Sequence, residues 1–123
     1  MTDFIRRVLF VDAATCIGTG LFLALLAAPL ARFLGLPADL LLYAGLALLP
    51  IAAFIVWVAT RDQISAAGVW LVIAGNAAWV LASLALLFAV SPTVLGYAFV
   101  IGQAVIVGAL AEMEYVGLRR SLV

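Results

Sequence analysis

Between Asp62 and Glu112 lie 49 consecutive residues without a charge. At ~1.5 Å per helical residue that run is about 74 Å long, far more than the ~30 Å of hydrocarbon that one helix crosses. It has room for two crossings and a turn. The turn is readable at Ser91, Pro92 and Thr93, because proline ends one helix and suits the first turn of the next. A second uncharged stretch runs between Asp39 and Arg61, and a third apolar stretch follows Arg6 and Arg7. Four spans account for nearly all of the 123 residues and leave only short connections.

Composition agrees with a lipid solvent. The chain is 69% hydrophobic and 10% charged, with mean hydropathy +1.37, whereas soluble domains are closer to half apolar and a quarter charged. The expected fold class is all-α, an integral membrane four-helix bundle in one domain spanning 1–123. The first helix is expected over about 8–28, ended by Pro29. A turn segment of residues 30–37 carries Arg32 and Gly35-Leu36-Pro37, and the second helix follows at 38–60. Pro50 lies inside it and is expected to free the Leu46 carbonyl and kink the helix. The third and fourth helices are expected over 65–90 and 94–117. The first apolar stretch reads as a retained anchor rather than a cleaved signal, because Asp12 interrupts it and Pro29 follows the small pair Ala27 and Ala28.

Arginine placement sets an expected orientation. Arg6, Arg7, Arg61, Arg119 and Arg120 fall on the side of both termini, and Arg32 alone falls on the other. Both ends are therefore expected in the cytoplasm, in a multi-pass cell inner-membrane protein. A weak internal parallel accompanies this pattern. Asp12-Ala13-Ala14 is matched 64 positions later by Asn76-Ala77-Ala78, and Gly18 and Thr19 by Ala82 and Ser83. Leu34-Gly35-Leu36 likewise parallels Leu95-Gly96-Tyr97.

Several function classes are disfavoured. The chain has no lysine and no histidine, and its net charge is zero. Six scattered arginines do not form the basic face that nucleic acid requires. Without histidine the usual haem and metal ligand is missing, so no cofactor and no metal site are expected. There is no Gly-rich phosphate loop or nucleophile–base pair, and the chain is not expected to be an enzyme. Cys16 is the only cysteine and reads as a small packed residue.

Asp12 stands out, about 8 Å along the helix from Arg7 at the helical rise. With Thr15, Cys16 and Thr19 it falls in a ~100° arc, a polar stripe that must face protein because lipid cannot satisfy it. Two readings stay open: a proton- or cation-binding carboxylate, or a packing residue paired with Arg7 or Arg119. Asn76, with Ser83 and Trp79 near it, and Gln103 at mid-helix are the other intramembrane polar groups. Asn76 is expected to bond Gln103 or the Asp12 stripe. Glu112, Glu114 and Arg119, beside Tyr115, read as an interfacial belt, with Trp57 and Tyr43 in the same role. Gly68, Gly75 and Ala82, and Gly102, Ala104, Gly108 and Ala109, are spaced as close-packing seams.

Across most of its length the chain resembles small four-span bacterial inner-membrane proteins, a likeness that carries no activity. It rests on Leu9-Phe10-Val11-Asp12-Ala13, Leu34-Gly35-Leu36-Pro37, Asn76-Ala77-Ala78-Trp79 and Glu112 through Gly117. Asp12 followed by Ile17-Gly18-Thr19 is also loosely similar to small multidrug resistance transporters. That resemblance implies a dimer with a first-helix carboxylate for protons and substrate, although that family uses a glutamate placed deeper and a different aromatic pattern in its third helix. The leading expectation is a non-enzymatic accessory or assembly component of a membrane complex. The alternative is a small dimeric proton-coupled transporter or channel using Asp12. Expected partners are the lipid bilayer and other membrane helices, in a homodimer or a larger complex.

Overall fold

Continuous apolar sequence leaves the backbone one economical solution, which is to pair every N–H and C=O inside its own helix. A computed structural model describes residues 2–122, and it is helical nearly throughout. The elements are α1 (Thr2–Leu25), α2 (Ala27–Leu34), α3 (Ala38–Ala59), α4 (Ala66–Ala89) and α5 (Val94–Leu122). Four of them, α1, α3, α4 and α5, are long and apolar enough to cross a membrane. The chain is thus an all-α, multi-pass membrane bundle.

The expected first connection is corrected. α1 ends at Leu25 rather than at Pro29, and the segment expected as a turn forms the short helix α2. Pro29 is the third residue of α2, where its missing N–H costs nothing because first-turn amides have no intrahelical acceptor. Gly35 closes α2 in the left-handed region (φ 68°), its N–H donating to the Ala31 carbonyl at 2.9 Å. Pro50 sits inside α3 without ending it. Side chains start α4 and α5: Ser65 Oγ accepts from the Gly68 N–H at 3.2 Å, and Thr93 Oγ1 from the Gly96 N–H at 3.1 Å.

α1 packs antiparallel against α3, and α4 against α5, and the two hairpins join along α1 and α5. α1 and α3 approach closely where Gly20 meets Gly45. A methyl at Gly45 would stand 2.6 Å from the Gly20 carbonyl oxygen and 2.7 Å from the Ala24 nitrogen. Gly96 meets the Leu34 carbonyl, and Gly117 lies against Phe4 and Ile5. The expected seams are largely corrected: Gly75, Gly102 and Gly108 face open space, and of the glycines expected there only Gly68 has a close neighbour, Val58. Residue spacing identified a small-residue face, but it does not say which neighbour covers it.

One end of the bundle gathers the arginines. Arg6 donates to the carbonyls of Ala59, Arg61 and Asp62, capping the C-terminus of α3. Arg61 stacks over Trp57 at 5.1 Å and Arg120 over Phe4 at 5.4 Å. The first residues of α1, the α3–α4 connection and the end of α5 therefore share one end. At the other end Thr93 ties α5 to α2, its N–H donating to the Leu34 carbonyl at 3.0 Å and its hydroxyl to that of Phe33 at 2.7 Å.

Candidate intramembrane carboxylate site

α3 and α4 touch sparsely and α1 and α4 keep their backbones apart. Polar side chains from α1, α4 and α5 meet in the gap. Asp12 (2% exposed), Asn76 (7%) and Glu114 (0%) are the buried polar residues among those described. The Asn76 amide nitrogen donates to Asp12 Oδ2 at 2.8 Å and to Glu114 Oε1 at 2.9 Å. Both amide protons are spent on carboxylates. Cys16 Sγ lies 3.7 Å from Asp12 Oδ1, one helical turn along α1. Glu114 Oε2 is buried without a hydrogen-bond partner, and its carboxyl is joined to that of Asp12 through the one Asn76 amide.

Asp12 was expected to face protein, and it does. The arginine pairing that one of the two readings offered is not formed. Arg7 and Arg119 are both exposed, and Arg119 lies over the Tyr115 ring at 5.6 Å. Asn76, expected to bond either Gln103 or the Asp12 stripe, bonds Asp12. Glu114 is the larger correction: expected at the interface, it is turned into the bundle. Glu112, two residues away and about 200° around α5, is exposed. The signal for Glu114 is the buried row Leu110, Glu114, Gly117 and Leu118, spaced i, i+4, i+7, i+8 as one protein-facing stripe.

Gln103 does not bond Asn76. It forms a second polar knot one to two turns from the first. Trp79 Nε1 donates to Gln103 Oε1 at 2.9 Å, and Gln103 Nε2 donates to Ser83 Oγ and to the Val100 carbonyl, each at 2.9 Å. Ser83 in turn donates to the Trp79 carbonyl at 2.7 Å. Thr15 turns its hydroxyl back to the Asp12 carbonyl at 2.7 Å, so it lines the site without bonding either carboxylate.

The gap between α3 and α4 is a cleft of about 680 Å³, within the range of small-molecule sites. Asp12, Cys16 and Asn76 form its polar floor, Phe54 and Ile55 of α3 one wall, and Leu71 and Trp79 of α4 another. Among the described residues no group of three His, Cys, Asp or Glu could hold a metal ion. Compared with protein-family models, with curated proteins and with solved structures, the chain matches none.

Proposed function

We propose that the protein is a small proton-linked membrane carrier whose proton-binding centre is Asp12, Asn76 and Glu114. The observation that carries this reading is the unpartnered Glu114 Oε2, on a carboxyl that shares one amide with a second buried carboxyl. Two carboxylates that share one amide in hydrocarbon cannot both stay ionised without a counter-charge, because desolvation and mutual repulsion act together. A proton on Glu114 turns the orphan acceptor into a donor. The site then carries one negative charge, stabilised by the Asn76 N–H bonds and open to the cleft at Asp12.

A residue present only for packing does not need this arrangement. An amide pair, or an apolar pair of the same volume, would hold α1, α4 and α5 together at lower desolvation cost. The arginine bias supports an orientation with both termini in the cytoplasm, and a bacterial inner membrane is the setting we propose. On that orientation the site lies within about 15 Å of the cytoplasmic end, ten residues into α1 at 1.5 Å each.

Reconstitution in liposomes with a lumenal pH dye tests the function. An imposed potential should drive proton movement above that of empty vesicles, and Asp12→Asn should return it to the empty-vesicle rate. Flux equal to empty vesicles, or unchanged in Asp12→Asn, defeats the reading. A second reading, an accessory component of a membrane complex, is favoured by the parting of α3 and α4. It leaves Phe54 and Leu71 uncovered where a foreign helix would fit. A stable partner retained through purification in mild detergent would support it.

A further inference from the structure

The cleft continues into a second cavity of about 230 Å³, and the two share Thr19, Trp79 and Gln103. Beyond those shared residues the second cavity is lined by Leu36, Leu40, Leu86 and Phe99. The pair therefore forms one trough with a strong polarity gradient. Its head holds a carboxylate and an amide, its neck is set by Trp79 and Gln103, and its tail is hydrocarbon. The Trp79 indole donates to Gln103, which in turn donates to Ser83, so the neck is fixed by packing and bonding together.

We propose that this trough binds a single-chain amphipath with a protonated amine head, the amine on Asp12 and the chain running past Trp79 into the second cavity. The proposal rests on the proton-linked reading, because the amine supplies the counter-charge that the shared proton otherwise supplies. Charge selects the head: Asp12 is the only ionisable side chain other than Cys16 lining the trough, and no arginine lines it. An ammonium can donate to Asp12 as the acid proton leaves, while an anionic head would meet a carboxylate with no cation to offset it. Geometry selects the tail. From Asn76 to Leu86 is ten residues of α4, about 15 Å at the helical rise, which suits an extended chain of about a dozen carbons. The parting of α3 and α4 gives the chain a lateral way in from the bilayer.

The test uses the full chain in lipid nanodiscs, with Trp57→Phe and Trp70→Phe leaving Trp79 as the only tryptophan. Dodecylamine brominated on its chain should quench Trp79 fluorescence saturably, and the matching brominated dodecanoate should not. Asp12→Asn should weaken amine binding roughly tenfold or more, the scale of one charge-assisted hydrogen bond. Ala82→Phe fills the second cavity, so it should weaken dodecylamine several-fold while leaving competition by hexylamine unchanged. Equal quenching by amine and carboxylate overturns the proposal, as does saturable binding indifferent to Asp12→Asn and to Ala82→Phe. If either variant fails to fold, the comparison of head groups on the unsubstituted site decides. Failure here with proton flux intact removes the ligand and leaves the carrier; loss of Asp12-dependent flux removes the carrier itself.

Discussion

Asn76 holds the site together, since one amide nitrogen serves two buried carboxyl groups from two other helices. Asn76→Leu keeps the volume and removes both donors, so unfolding in mixed micelles should show a loss of about 3 kcal/mol. Glu114→Gln separates structure from activity. Its amide keeps an oxygen for Asn76 and offers Asp12 a permanent donor, so stability should stay within about 1 kcal/mol while proton flux in liposomes is lost. A drop in stability as large as that of Asn76→Leu would make Glu114 a packing residue. At this scale the sequence was half legible. Asp12 was conspicuous as the one charge inside its apolar run, and Asn76 was among its expected partners. Glu114 was masked by Glu112, Tyr115 and Arg119, which suit a membrane interface. Only the burial stripe through Leu110 and Leu118 distinguishes it, and stripes are hard to read where nearly every residue is apolar.

Among elements, the close contact of α1 and α3 depends on Gly20 and Gly45. Gly45→Ala places a methyl against backbone that cannot rotate away, and should destabilise by about 1–3 kcal/mol. Gly102→Ala meets nothing within 4 Å and should be neutral or stabilising by up to about 1 kcal/mol from helix propensity. Comparing the two variants in the same unfolding assay checks the packing directly. Arg6→Ala removes the cap on α3 and should cost about 1 kcal/mol. Helix ends near Ala38, Ser65 and Val94 were legible because proline, aspartate, serine and threonine mark them. The α1–α2 boundary was not. Proline both ends helices and begins them, and the choice at Pro29 falls to tertiary contacts of α2 with α3 and α5.

For the whole molecule, number and type of spans followed from charge spacing, since hydrocarbon leaves few alternatives to a helix. The order of packing did not. Nothing in the sequence says that α3 and α4 part while α1 and α5 close, because a cleft lined by Leu71 and Phe54 has the same composition as a lipid-facing surface. Yet that parting gives Asp12 its opening to the cleft. The proposed carrier depends on a proton held between two carboxyl groups inside the bundle. Infrared spectroscopy of the full chain in nanodiscs at neutral pH measures that proton through the carbonyl stretch of a protonated carboxyl group. The band should be present in the unaltered protein and absent in Glu114→Gln. Its absence from the unaltered protein, with Asp12 and Glu114 both ionised, would rule out a carrier built on this proton.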